Sequence, residues 1–152
     1  IKGINPEKRR RVAKKYIKLV GLTGFEDSYP FELSGGMMQR VALARMLAFD
    51  PEILLMDEPF ASVDALTREK LQDELLKIWG EMKKTIIFVT HSIDEAIYLS
   101  DRVAVMSARP GRVKKVLDIT LERPREGIRA LPEFARLREE IWEALQKEMI
   151  VQ

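Results

Sequence analysis

Apolar residues recur along this chain with two different periods, and the switches between them predict its elements. Asn5 and Pro6 form an N-cap and N1 pair, after which Val12, Ala13, Tyr16, Ile17, Leu19 and Val20 keep helical spacing up to Gly21. Residues 24–32 are a turn-rich connector containing Pro30. Ser34 then reads as the N-cap of a second helix running to about Phe49, where Asp50-Pro51 stops it. The run Ile53-Leu54-Leu55-Met56-Asp57 is too short and too uniformly apolar for a helix, so it predicts a strand buried on both faces, as in a parallel sheet. A long helix follows, with Leu71, Leu75, Ile78, Trp79 and Met82 on one face and the Asp73–Lys77 pair on the other.

A second buried strand is predicted over Thr85 to Thr90, where β-branched residues dominate. Ser92-Ile93-Asp94-Glu95 has the form of a capping box, which starts a helix directly after His91. Residues 103–107 and 113–119 read as strands joined through Ala108-Arg109-Pro110-Gly111, with Pro and Gly suited to a type II turn. Pro124 to Pro132 reads as a linker, and Glu133 to Met149 as a last amphipathic helix. Strands alternating with helices predict an α/β fold with a mainly parallel sheet.

Composition narrows the chemistry. With 152 residues the chain fits one domain, and a net charge of +2 gives no global pull toward nucleic acid. The absence of cysteine excludes disulfides and thiolate metal sites, and a single histidine leaves little material for a zinc or iron centre. No apolar run approaches the roughly 20 residues of a membrane span, and the charged start has no signal-peptide core. A reducing, cytoplasmic setting is the default expectation. Few Asn and Gln and no Cys would also suit a thermophile.

Asp57 is expected at the carboxyl end of a buried strand, where open α/β sheets place their ligands. A carboxylate there, followed by Glu58, suits a magnesium nucleotide, one group holding the metal and the other activating water. The same residues also suit a plain polar exit from the strand. Leu33-Ser34-Gly35-Gly36 presents a hydroxyl and unobstructed amides at a helix start, which favours anions but equally describes an ordinary Ser cap. His91 closes the second apolar strand and is placed either to reach a phosphate or to serve the fold. Asp64 follows the carboxylate pair after one short loop, and alone reads equally as the N-cap of the long helix.

Taken in order and spacing, these pieces resemble the C-terminal part of an ATP-binding-cassette ATPase. Leu33 to Arg40 is similar to that family's signature motif, Ile53 to Glu58 to its Walker B strand, Ser62 to Leu66 to its D-loop, and His91 to its switch histidine. Met37 departs from the family's usual Gln. With the Arg109-Pro110-Gly111 turn, it resembles the importers of nitrate, sulfonates and taurine. The resemblance implies a P-loop NTPase-type, RecA-like core with part of the helical signature subdomain. It implies ATP and Mg²⁺, with Asp57 on the metal and Glu58 polarising water. His91 would contact the γ-phosphate, and Ser34, Gly35, Gly36 and Gln39 would meet a partner's nucleotide. Asp64 would couple the two sites. Implied partners are a second ATPase subunit in a head-to-tail homodimer, permease subunits and, indirectly, a solute-binding protein, with the protein peripheral on the inner face of the membrane.

By that resemblance, residues 1–50 are a helical subdomain, 51–122 the C-terminal part of the catalytic core, and 123–152 a linker and helix. No glycine is followed by Lys, so the phosphate-cradling G-x-x-x-x-G-K-[ST] loop has no match in the chain. A fragment lacking the Walker A strand is therefore expected, inactive alone, with a gap in the sheet between strands 85–90 and 103–107. Such open edges invite strand association or domain swapping. Lys8-Arg9-Arg10-Arg11 gives an alternative, a nucleic-acid-associated member of the superfamily, and a non-catalytic cassette module is a third reading. No nucleic acid is expected on the leading one.

Overall fold

A computed structural model describes residues 3, 5–61 and 63–146, and the expected end of the last helix at Met149 lies outside them. The elements run α1 (Pro6–Leu19), α2 (Gly35–Ala48), β1 (Ile53–Asp57), α3 (Ala65–Met82), β2 (Thr85–Val89), α4 (Ile93–Leu99), β3 (Arg102–Met106), β4 (Val113–Asp118) and α5 (Pro132–Gln146). Short 3₁₀ turns occupy Pro30–Glu32 and Ile128–Ala130. The fold is α/β, and the chain divides into two compact units, Ile1–Ile87 and Phe88–Gln152, with the boundary inside β2.

In the first unit the caps act as the sequence predicts. Asn5 accepts from the Glu7 amide at 2.9 Å, with Pro6 at the helix start. Ser34 caps α2 through the Met37 amide, 3.3 Å away, and Asp64 caps α3 through the Thr67 amide at 3.0 Å. Tyr16, Val20, Leu47, Leu54, Met56, Leu71, Leu75 and Ile78 are buried in this unit, where α1 packs on α2 and α2 on α3. Trp79, half-buried, donates its indole N–H to the Lys84 carbonyl at 2.9 Å and ties the end of α3 to the start of β2.

The strands depart from the expectation of burial on both faces. In β1, Leu54 and Met56 are buried, but Ile53 is 54% and Leu55 69% exposed. In β2, Ile87 and Val89 are about half exposed. Successive strand residues point to opposite faces, so one face of β1 is buried and the other exposed, while β2 alternates between half-buried and exposed residues. Rather than one sheet, the described residues form two of two strands each, β1–β2 and β3–β4.

In the second unit, β3 and β4 form an antiparallel hairpin pairing Val103 with Leu117 and Ala104 with Val116, with an irregularity between Val105 and Met106. Its connection is not the expected type II turn. That turn needs a positive φ at Gly111, and Gly111 is not among the residues with one. Instead Ser107 organises the loop: its N–H donates to the Arg112 carbonyl at 2.8 Å and its hydroxyl accepts from the Arg112 amide at 2.9 Å. Ile97, Tyr98, Val103, Phe134, Leu137 and Ile141 form the core, with α5 packed on α4 and β3. The stretch read as a linker is partly core: Arg125 and Ile128 are buried.

Candidate functional site

Asp57 ends β1 with its side chain exposed, and Glu58 follows it with φ at +45°. Left-handed backbone costs a residue with a Cβ about 1–2 kcal/mol. Among the described residues two other non-glycines share it, Asp50 and Lys83, and both terminate helices: Asp50 follows the α2 cap and Lys83 caps α3. Left-handed residues are the ordinary way to end a helix. Glu58 ends no helix, so its strain has no such local explanation. Such outliers cluster where a side chain must be aimed. Beyond it, the Ala61 amide donates to the Glu58 carbonyl at 3.1 Å and Phe60 is buried, which anchors the turn from below.

Three interactions gather the sequence-predicted residues of the first unit. The Gln39 side-chain amide donates to the Pro59 carbonyl, joining α2 to the turn that carries Asp57 and Glu58. Gly36 lies so close to α3 that a Cβ there would meet the Thr67 methyl at 3.0 Å. Thr67 in turn donates its amide to the Asp64 carboxylate, so the starts of α2 and α3 are neighbours. That bond, with the Thr67 hydroxyl, holds the Asp64 carboxyl below the usual carboxylate range. Gly35 differs from Gly36: among the described residues, nothing lies within 4 Å of the place its Cβ would occupy. Neither glycine has a positive φ, so packing accounts for Gly36, and no contact among the described residues accounts for Gly35.

Two ion pairs whose partners lie far apart in the sequence frame this arrangement. Arg40 pairs with Glu74 of α3 at 2.7 Å, yet burial pushes the Glu74 carboxyl up against that attraction. Lys84 pairs with Asp50 at 2.8 Å and holds its carboxyl down. Arg40 and Glu74 sit on separate helices with no motif linking them, so only proximity reveals the pair.

His91 belongs to the second unit. It is exposed, just beyond β2, in a turn where the Ser92 amide donates to the Thr90 hydroxyl at 3.0 Å. Ser92 caps α4 by accepting from the Glu95 amide at 3.3 Å, the half of the capping box expected of it. No three His, Asp or Glu side chains cluster as a metal site among the described residues. Asp57 and Glu58 alone suit a Mg²⁺ ion that keeps waters and phosphate oxygens as its other ligands, rather than an all-protein cage. Among the described residues no helix is long and apolar enough to cross a membrane.

A family model described as ABC transporter matches residues 3–61, the stretch that holds α2 and the Asp57-Glu58 turn. An uncharacterized ABC transporter ATP-binding protein of Methanocaldococcus jannaschii is 61% identical over 150 residues, covering 99% of this chain and 55% of that protein. The chain belongs to the ABC transporter ATPase family. The aliphatic sulfonates import ATP-binding protein SsuB of Bacillus cereus is 49% identical over 91% of this chain and 55% of its own length. Among solved structures, the dimeric bacterial ABC transporter cassette MJ0796 superposes with a TM-score of 0.62 at 34% identity, over 80% of this chain and 52% of that one. The fold is thus that of part of an ABC cassette, a P-loop NTPase fold. This ABC-family chain spans about half the length of the curated relatives it matches.

Proposed function

We propose that this chain carries the water-activating and signature portions of the ATP-hydrolysing subunit of an ABC importer, for a solute of the sulfonate, nitrate or taurine type. The observation that carries the reading is Glu58: an exposed carboxylate on strained backbone, next to the carboxylate that ends a β-strand. Asp57 would hold Mg²⁺, and Glu58 would orient and deprotonate the attacking water. His91, exposed after β2, would contact the γ-phosphate. When bound, the metal supplies charge neutralisation at the phosphoryl group being transferred.

Ser34, Gly35 and Gly36 would close over nucleotide held by a second ATPase subunit. The open space at Gly35 supports this, because a phosphate approaching from outside needs that position bare. Gln39 is engaged with the Pro59 carbonyl, so its contribution would be to couple the signature helix to the Glu58 turn. Asp64 would act as cap of α3 and as link between the two sites of a head-to-tail dimer. The working division is 1–50 as permease-facing helical subdomain, 51–122 as catalytic core and 123–152 as C-terminal extension. The complex would sit on the inner face of the membrane with its permease and, through it, a solute-binding protein. With no Walker A loop among its own residues, the 152-residue chain alone would neither hold ATP tightly nor turn it over.

The test is Glu58→Gln in the protein expressed from its complete gene. Turnover should vanish while ATP binding, measured by titration calorimetry, persists. Loss of binding together with turnover would give Glu58 a structural role instead.

A further inference from the structure

The seven residues of α4 follow His91 directly, and four arginines from one downstream stretch hold them. At the C-terminal end, Arg125 donates to the carbonyls of Ile97 at 2.8 Å and Ser100 at 3.1 Å, and its guanidinium is buried. Arg123 donates to the Leu99 carbonyl at 3.0 Å and pairs with Asp101 at 2.8 Å. On the flank, Arg129 stacks over the Tyr98 ring at 4.0 Å. At the N-terminal end, Arg138 makes a two-point pair with Asp94, at 2.6 and 2.7 Å.

A helix this short has little stability of its own, since isolated helices below roughly 12 residues are marginal in water. Its position is therefore set by what grips it. The guanidinium groups satisfy carbonyls that the helix end leaves open, and they complement the negative end of its dipole. Arg138 fixes the other end within three residues of His91, and its two-point geometry constrains direction as well as distance. The Ser92 bonds to Thr90 and Glu95 make the turn bearing His91 continuous with the helix. A shift of α4 must carry the His91 backbone with it.

We propose that Arg123, Arg125, Arg129 and Arg138 are positioning residues for His91, so that the segment from 123 to 138 sets the efficiency of hydrolysis without meeting nucleotide. This rests on the catalytic reading of His91 given above. It also means that a partner bound to the C-terminal segment acts on turnover through α4. Arg136 supplies the internal control: it lies on the same helix as Arg138 but pairs with Glu133 and Glu140 of α5 itself, not with α4.

The experiment uses the protein expressed from its complete gene, with the His91 ring signal in ¹H–¹³C spectra assigned by its loss in His91→Ala. Arg138→Ala and Arg123→Ala should shift and broaden that signal, while Arg136→Ala leaves it in place. In steady-state assays kcat should fall roughly tenfold, less than the hundredfold that an ångström of misplacement can cost. KM for ATP should stay within about twofold, as expected when binding is untouched. The charge-swapped pair Asp94→Arg with Arg138→Asp should recover most of the loss, which a merely destabilised fold would not. An unchanged His91 signal and unchanged kcat in both single variants would overturn the proposal. If the signal moves while His91→Ala retains full activity, the clasp stands as a positioning device and the catalytic reading of His91 falls.

Discussion

Gly35 and Gly36 are neighbours in sequence and in helix position, yet the same substitution should do opposite things to them. In a helix, Ala is favoured over Gly by up to about 1 kcal/mol, and replacing Gly at a compatible site stabilises by about 0.4–1 kcal/mol through the unfolded chain. At Gly35 the new methyl meets open space and φ is not positive, so the gain is not offset by a clash. As the first residue of α2 it should realise the lower part of that range. At Gly36 the methyl arrives 3.0 Å from the Thr67 Cγ2, a contact that must open by a few tenths of an ångström. Thr67 cannot yield freely, because its amide is bound to Asp64. The propensity gain there is cancelled or reversed, since overpacking costs about 1–3 kcal/mol. Urea denaturation at neutral pH should therefore rank Gly35→Ala above the wild type and Gly36→Ala at or below it. Turnover of the complete protein should fall in both, because at Gly35 the methyl occupies the approach proposed for a partner's phosphate. Gly35→Ala that destabilises by more than about 1 kcal/mol would refute the packing argument. Gly35→Ala with full turnover would refute the functional one.

Other expectations follow from single residues. Glu58→Gly should keep or raise stability, because glycine relieves the +45° φ worth about 1–2 kcal/mol, whereas Glu58→Val should lower it by thermal denaturation. Phe134→Ala should cost about 3–5 kcal/mol, since that ring is fully buried where α5 meets α4 and β3. Acid should destabilise the fold as pH drops below about 4. The Asp50, Asp64, Glu133 and Glu140 carboxyls are all held low in the folded state. Their stabilisation is complete above the unfolded carboxylate pKa and disappears as pH falls through the folded values. Glu74, held high by burial, works in the opposite sense, so Glu74→Gln should leave the acid limb in place. In dilute solution the 152-residue chain should self-associate through its open sheets, and a monodisperse monomer by light scattering would count against that.

Local grammar made most elements legible. Asn5, Ser34, Asp64 and Ser92 each announce a helix start, and each binds the amide that its position demands. Asp50 with Pro51 announced the end of α2, which closes at Ala48. The residues proposed to carry chemistry stand out in the sequence for the same reason, being tied to strand ends and helix starts by short spacings. What stayed hidden depends on separation along the chain. Arg125 sits between Pro124 and Glu126 in a stretch whose composition says solvent, and nothing local marks it as buried. Its partners, the carbonyls of Ile97 and Ser100, are backbone atoms that leave no trace in sequence. Arg138 and Asp94 lie 44 residues apart, and a single Arg–Asp match at that distance carries no signal. The Gly111 turn failed differently: Pro-Gly has a strong turn preference, but the Ser107 network imposes another geometry.

The strands present the sharper lesson, because pattern and exposure disagree. A strand meant for one covered face alternates apolar with polar residues, yet Ile53-Leu54-Leu55-Met56 does not alternate and Thr85-Ile86-Ile87-Phe88-Val89 barely does. In the fold, Leu54 and Met56 are buried while Ile53, Leu55, Ile87 and Val89 are exposed. Continuous apolar runs are what sheets covered on both faces require, so the residues specify a cover that this chain does not supply from its described portion. The hairpin repeats the mismatch: Met106, Val113 and Val116 are half exposed opposite the buried Val103, Val105 and Leu117. At about 25 cal/mol per Å² of apolar surface, leaving several large side chains uncovered costs a few kcal/mol, comparable with a small domain's whole stability. Among the described residues β2 and β3 do not pair with one another, each pairing within its own two-stranded sheet. Pattern and exposure thus part at the same residues: the apolar runs specify sheets covered on both faces, and the described residues cover one.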